Sequence, residues 1–472
     1  MARAPSAQQK SPRATAFDEI FAEPAAAVHE RYARHVNHRF ARVIELIGFN
    51  KVFTRAEGAW LWDQTGARYL DFLGGYSVFN LGRNHPRLKQ ALADWLQRDG
   101  ASLVQMECNP LAALLAEKLA QITPGDLNTS FFTNSGAETT EVALKMARKA
   151  TRRPRLLHAG SSYHGLTFGA LSVTDDPMWQ EGFGPLLPGC QAVPFDDLDA
   201  LERELSQRDV AAFITEPIQG EAGVLIPSDR YLPEAARLCR RYGALLIVDE
   251  IQTGFGRTGR WFACDHWGVE PDIMLLSKGI AGGYVPLGAV VTRRDIFDKV
   301  FEDLKHSVVH TTTFGGNALA MVAALATIEV MEDEGVVENA ASAGAMLMDG
   351  LRDLASRFEM VKEVRGKGLM IGIEFGEPHS LKLKAGWKLV HRAGQGLFGQ
   401  MLAIPLMRDH GILTQVAGHN LDVHKLAPPL IIGREEVDHF LAAYEKVLTD
   451  LHRFPGPLWD LGTTLLKNSL SW

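Results

Sequence analysis

Three short stretches put residues of reactive type directly behind apolar runs. In DIMLLSKGIAGGYVPLGAV (272–290), Lys278 closes the run and precedes a glycine-rich turn, where its ammonium loses solvent. An unpaired buried ammonium is costly, so a strand ending alone gives no reason for it. A lysine beside an apolar run ordinarily snorkels to water, and the position by itself assigns no chemistry. In LLIVDEIQTGFGRTG (245–259), Asp249 and Glu250 are adjacent at a strand end, so their side chains point to opposite faces and one faces the core. A buried carboxylate there needs a cation, which a salt bridge, a helix cap or a protonated heterocyclic nitrogen would each satisfy. In FFTNSGAETTEVALKMARKA (131–150), a strand end leads through Asn134, Ser135, Gly136 and Ala137 into a helical pattern. Small residues at that junction leave N–H groups open to an anion, while a Ser cap with Glu138 in the first turn accounts for the same residues.

Short β-branched runs alternate with helical patterns around these positions: AAFITEPI, YLPEAARLCRRYG, ALLIVDEI, DIMLLS and LGAVVT. That alternation predicts an α/β fold with a mostly parallel sheet covered by helices on both faces. Ligands gather beyond the carboxyl ends of such strands, where Glu216, Asp249 and Lys278 all fall. Before this core, residues 17–48 have helical spacing and AWLWDQTGARYLDFLGG reads as a hairpin turning at Gly66. After it, NALAMVAALATIEVM reads as a buried helix, ENAASAGAMLMDGLRDLASRF as a second helix and VKEVRGKGLMIGIEF as strands. The expected organisation is a tail (1–16), an N-terminal segment contributing to a small domain (17–79), a large domain (80–325), a small α+β domain (326–454) and an extension (455–472). Leu and Trp at roughly helical spacing suggest that the extension packs on a neighbouring subunit, with peripheral membrane contact as the alternative.

Composition narrows the function classes. A chain of 472 residues, 46% hydrophobic and 22% charged, can bury a large core. A net charge of -7 with Lys and Arg spread along the chain argues against nucleic acid as a partner. Cys108, Cys190, Cys239 and Cys264 are far apart with no CxxC pair, which fits packing residues in a reducing compartment and no metal site. The opening MARAPSAQQKSPRATA lacks the apolar core of a secretory signal and reads as a disordered tail, with a transit peptide as the alternative; the expected location is the cytoplasm. GFGRTG (254–259) satisfies G-x-G-x-x-G, but DEIQT separates it from the strand and no helix pattern follows, so a nicotinamide oxidoreductase is a distant alternative.

An anion-binding helix start, a buried acid and a lysine at strand ends together meet the needs of pyridoxal phosphate. That cofactor requires a phosphate cradle, a carboxylate that keeps its ring nitrogen protonated and a lysine that holds its aldehyde as a Schiff base. Several motifs then stand in a familiar order: FFTNSGAETTEVALKMAR, SSYHGLTFGALSVT, EPIQGEAGV, LIVDEIQTGFGRTG, LLSKGIAGGYVPLGAV and HTTTFGGNALA. From about Gly58 to Leu451 the chain closely resembles the class III aminotransferases of the ornithine, acetylornithine and putrescine group. The resemblance implies a fold-type-I enzyme, a homodimer with shared active sites, and transfer of an amino group from an amine or amino acid to a 2-oxo acid such as 2-oxoglutarate.

Carried over by residue, the resemblance implies Lys278 as the cofactor lysine and proton carrier, and Asp249 as partner of the ring nitrogen. Gln252 would reach the phenolic oxygen, Tyr163 would stack on the ring, and Ser135, Gly136 and Ala137 would hold the phosphate. Thr313 would reach the phosphate of the neighbouring subunit's cofactor, and Tyr76 would contact substrate. Where the family usually places a carboxylate-binding arginine, HKLAPPL has Lys425, and Glu221 matches the glutamate that pairs with that arginine. A Glu221–Lys425 pair is therefore expected as the gate, though an ammonium holds a carboxylate less specifically than a guanidinium fork. The apolar insertion over 376–423, with Trp387, Phe398, Met401, Leu406 and Met407, suggests either extra packing or a substrate entrance enlarged for a bulky amine. A lipid-like aldehyde, as in hopanoid side-chain amination, is the alternative substrate.

Overall fold

A computed structural model describes residues 19–393, 397–418 and 422–462. The expected tail at 1–16 and the end of the extension, 463–472, lie outside the described residues. Near the N-terminus, β1 (Phe53–Glu57), β2 (Trp60–Asp63) and β3 (Arg68–Asp71) form an antiparallel meander. The β2–β3 hairpin turns at Gly66, whose φ of 85° is one that a residue with a Cβ rarely adopts.

The central sheet has seven strands: β4 (Thr129–Thr133), β5 (Arg155–Ala159), β6 (Cys190–Val193), β7 (Val210–Thr215), β8 (Leu245–Asp249), β9 (Ile273–Leu276) and β10 (Gly288–Thr292). Their order is β4-β10-β9-β8-β7-β5-β6, parallel except where β10 runs antiparallel to β4 and β9. Strands β7, β9 and β10 are buried along their whole length, which is why their sequences are continuous apolar runs rather than alternating ones. The helix Gly136–Thr151 buries Val142, Ala143, Met146 and Ala147 against this sheet and ends at Arg152 in the left-handed region. The helix Ala318–Asp333 is the buried one expected from its run of Ala, Val and Met.

The smaller unit contains β11 (Val361–Lys367), β12 (Met370–Phe375), β13 (Ile412–Leu413), β14 (Gln415–Val416) and β15 (Val423–Leu426). Strands β11-β12-β15-β14 make one antiparallel sheet, whereas β13 pairs parallel to β3 and so ties the C-terminal part to the N-terminal meander. Phe72 stacks on Phe440 with ring centroids 4.3 Å apart, a second tie between the chain's two ends.

In the insertion, Trp387, Phe398, Met401, Leu406 and Met407 are all buried. Phe398 lies between Phe375 and Trp387, at ring-centroid distances of 5.3 and 4.7 Å. These side chains join the hydrophobic core, which fits the packing reading of the insertion. At the start of the extension, Leu458 and Trp459 are buried against this same chain, and Trp459 Nε1 donates to the Leu451 carbonyl at 2.9 Å, so these two side chains pack within the chain.

Candidate active site

The carboxyl ends of β4, β5, β7, β8 and β9 converge on one cleft. Lys278 follows β9 at once, in the left-handed region at φ 45°, where a β-carbon is strained. Next to it, a Cβ on Gly279 would stand 2.4 Å from Asn80 Nδ2, so only glycine lets the turn close against Asn80. Among the described residues Lys278 Nζ has no hydrogen-bond or ion-pair partner. Burial lowers its pKa from the ordinary 10.5 to about 8, Glu221 opposing and Lys425 assisting the shift.

Asp249 ends β8 with its carboxylate inside. Oδ2 accepts from His164 Nδ1 at 2.7 Å and Oδ1 from the Ile251 N–H at 3.0 Å. A carboxylate only accepts, so His164 carries its hydrogen on Nδ1; its Nε2 is buried without a partner. Glu250 points the other way, bonded to the Thr253 hydroxyl and the Cys264 N–H, as the alternation of strand faces requires. Burial raises the Glu250 carboxyl to about 7. Glu216, beyond β7, is likewise pushed to about 7 by burial, with Asp249 adding to the rise and His164 opposing it. Its two oxygens accept from the Tyr163 N–H at 3.0 Å and the Gly220 N–H at 3.1 Å, clamping two loops together.

The helix start at 135–138 satisfies both sequence readings. Ser135 Oγ caps by accepting from the Glu138 N–H at 3.2 Å, and Glu138 reaches back to the Asn134 N–H at 2.6 Å. The N–H groups of Gly136 and Ala137 stay in the first turn, where no helical carbonyl precedes them. This start abuts the cleft. A Cβ on Gly136 would meet Ile251 Cδ1 at 2.9 Å, and Thr140 Oγ1 donates to the His164 carbonyl at 2.9 Å. Thr313 is not brought to this cluster: it is exposed, and its carbonyl accepts from Gln105 Nε2 at 3.0 Å.

On the substrate side, Glu221, Gln252 and Lys425 form a closed ring of contacts. Lys425 Nζ, with no exposed surface, donates to Glu221 Oε1 at 2.7 Å and to Gln252 Oε1 at 3.2 Å. Gln252 Nε2 donates to the same Glu221 Oε1 at 3.1 Å, leaving one amide hydrogen uncommitted. Burial alone would raise the Glu221 carboxyl, but Lys425 and Lys278 outweigh it and hold it at about 2. Gly220 makes the ring fit, because a Cβ there would stand 1.6 Å from Gln252 Oε1.

Tyr76 enters from a left-handed turn. Gly74, Gly75, Tyr76 and Ser77 have φ of 57°, 61°, 62° and 69°, and the two residues with a Cβ are strained there. A Cβ on Gly74 would lie 2.2 Å from the Ala427 carbonyl, so the turn rests on the chain two residues past Lys425. The Tyr76 and Tyr163 phenols are both raised, first by partial burial and then by Glu221, and Tyr163 packs edge-on against Trp179 at 5.8 Å.

Sequence reasoning missed His164, which lies inside the quoted SSYHGLTFG but carries no local signal, since its partner is 85 positions away. It also missed the clamp made by Glu216. The residues present fit pyridoxal phosphate: free first-turn N–H groups for an anion, a buried Asp249 acceptor backed by His164, an uncommitted Gln252 amide hydrogen and an unpartnered lysine amine.

A seven-stranded, mostly parallel sheet with these groups at its strand ends defines a fold-type-I pyridoxal-phosphate enzyme. Comparison with known proteins fixes the family. The model of the family "Aminotransferase class-III" matches residues 48–448, and the chain belongs to that family. It is 41% identical over 402 residues to the putrescine aminotransferase of Pectobacterium atrosepticum, covering 83% of this chain and 81% of that protein. It is 34% identical over 484 residues to aminotransferase PigE of a Serratia species; the alignment takes in 95% of this chain but only 57% of PigE. Among solved structures, the ornithine aminotransferase of Toxoplasma gondii ME49 superposes with a TM-score of 0.82 at 31% identity, over 93% of this chain and 99% of that one. A second structure of the Toxoplasma enzyme records pyridoxal phosphate at its active site.

Proposed function

We propose that this enzyme takes the amino group from a terminal-amine donor, of the diamine or ornithine-like kind, and passes it to a 2-oxo acid such as 2-oxoglutarate in two separate half reactions. The names of the putrescine and ornithine aminotransferases it resembles support the donor class. The observation that carries the reading is Lys278, an amine with a pKa of about 8 and no partner, facing the buried Asp249–His164 pair in one cleft.

Pyridoxal phosphate, when bound, supplies an aldehyde for covalent capture of amines and a protonated ring that draws electrons from the substrate carbon. The chain's own residues do the rest. Asp249, backed by His164, holds the ring-nitrogen proton; Gly136, Ala137 and Ser135 bind the phosphate; Gln252 gives its remaining amide hydrogen to the phenolic oxygen. Tyr163 fixes the plane of the ring. Lys278 Nζ takes up and releases a proton beside the substrate carbon, for which a pKa near the working pH is best suited. Glu221 and Lys425 line the substrate side in the position of the family's gate, with Tyr76 at the mouth.

The exposed Thr313, away from its own cluster, supports a homodimer in which it serves the neighbouring subunit's cofactor. The domain division proposed is 80–325 against 17–79 with 326–454, which the β3–β13 pairing supports. No helix among the described residues is long and apolar enough to cross a membrane, and the cytoplasm is the proposed location. Neither alternative gains support. The insertion's Trp387, Phe398, Met401, Leu406 and Met407 are buried, and GFGRTG lies in turns rather than at a helix start.

The test is a spectral titration of the cofactor-loaded enzyme. Amine donors are expected to convert the cofactor to its amine form and oxo acids to restore it, each without the other present. A loaded enzyme that no amine converts contradicts the reading.

A further inference from the structure

Glu221 and Lys425 differ in what they offer to the cleft. Lys425 is sealed: its side chain has no exposed surface, its Nζ is engaged by Glu221 Oε1 and Gln252 Oε1, and its backbone lies within β15, between Gly372 of β12 and Gln415 of β14. Glu221 is open, with 30% of its side chain exposed. Both cation and amide contacts fall on Oε1, and Oε2 has no hydrogen-bond partner among the described residues.

Two phenols, those of Tyr76 and Tyr163, are near enough to that carboxylate to feel its charge. The Glu216 clamp joins the Tyr163 backbone to Gly220, the residue before Glu221. The left-handed turn that carries Tyr76, with 57% of its surface exposed, rests on Ala427, two residues past Lys425. An ionised, partly exposed oxygen with a free acceptor site suits a cation, through charge-assisted hydrogen bonding. A carboxylate approaching there would meet Glu221 before it met Lys425.

Building on the amino-transfer reading, we infer that Glu221, held through Oε1 by Lys425 as a fixed counter-ion, recognises a second ammonium at the far end of the donor, making a diamine the preferred amine. Lys425 then serves to keep Glu221 charged and Gln252 oriented during the donor half reaction, and the carboxylate is the specificity element. The step involves binding only. The diamine's reacting amine goes to the Lys278 end, and its distal ammonium rests on Glu221 Oε2.

The test uses the full-length, cofactor-loaded enzyme and three amines of equal chain length: an α,ω-diamine, the n-alkylamine and the ω-amino carboxylate. Each is mixed without an oxo acceptor, and cofactor absorbance is followed through a single turnover. The limiting rate over the apparent Kd is expected to favour the diamine over the alkylamine by about tenfold or more, with the amino carboxylate below the diamine. In Glu221→Gln the diamine-to-alkylamine ratio is expected to fall to within about threefold of one, chiefly through apparent Kd. The inference is overturned if the wild-type enzyme treats diamine and alkylamine alike, if it prefers the amino carboxylate, or if Glu221→Gln keeps the ratio. The wild-type panel decides even if that variant fails to fold. If no amine changes the absorbance, the amino-transfer reading falls and this inference with it; if alkylamines react as well as diamines, only this inference falls.

Discussion

The two ends of the cleft are built differently. At the cofactor end, Asp249, Glu216 and Lys278 stand at or just past strand ends of one sheet, and His164, in the loop after β5, is bonded to Asp249. At the substrate end, Glu221, Gln252 and Lys425 come from three segments, one of them in the smaller sheet, and Tyr76 comes from a strained turn near the N-terminus. The first end is set by one sheet, whereas the second is assembled from segments distant in the chain. Preorganised charge can be specialised for chemistry, and an assembled edge can change its specificity by single replacements such as the lysine at 425.

Substitutions at each end separate these roles. Asp249→Asn keeps the shape but removes the charge that holds the ring-nitrogen proton. It is expected to reduce the limiting rate of the amine half reaction by about 10²–10³-fold while leaving apparent amine affinity within a few-fold, read by single-turnover absorbance. Equal losses in rate and affinity would mean that Asp249 only supports the fold. Gly220→Ala acts on the other end. Its Cβ would meet Gln252 Oε1 at 1.6 Å, so the amide must move and the Glu221–Gln252–Lys425 ring must open. The expected loss is about tenfold, seen as weaker amine binding with cofactor retained, and unchanged amine affinity would show that the ring is not needed for recognition.

The cofactor end was also the more legible in sequence. Asp249 and Lys278 each follow an apolar run that ends in a chemically costly residue, and that local contrast points to them without knowledge of the fold. Ser135 to Ala137 were ambiguous between a helix cap and an anion cradle, and the structure shows the cap while the Gly136 and Ala137 N–H groups stay in the first turn. His164 was illegible because its only distinguishing contact spans 85 residues. Tyr76 had a faint signal in LGGYS, where two glycines precede it and adopt the left-handed conformation that it shares. The insertion left two readings open for a physical reason. Apolar side chains specify burial but not what they bury against, and Phe398 and Trp387 pack on each other within the main hydrophobic core.

The central claim is that residue 278 supplies the amine that captures the cofactor's aldehyde. Borohydride reduction of enzyme loaded across a pH series, followed by peptide mass mapping, tests it directly. The expected outcome is a single cofactor label on Lys278, with the rate of labelling rising with pH as the ammonium loses its proton and reaching half its maximum near 8, well below the ordinary lysine value of 10.5. A label on Lys425 or another lysine, or none on Lys278 at any pH, would contradict it.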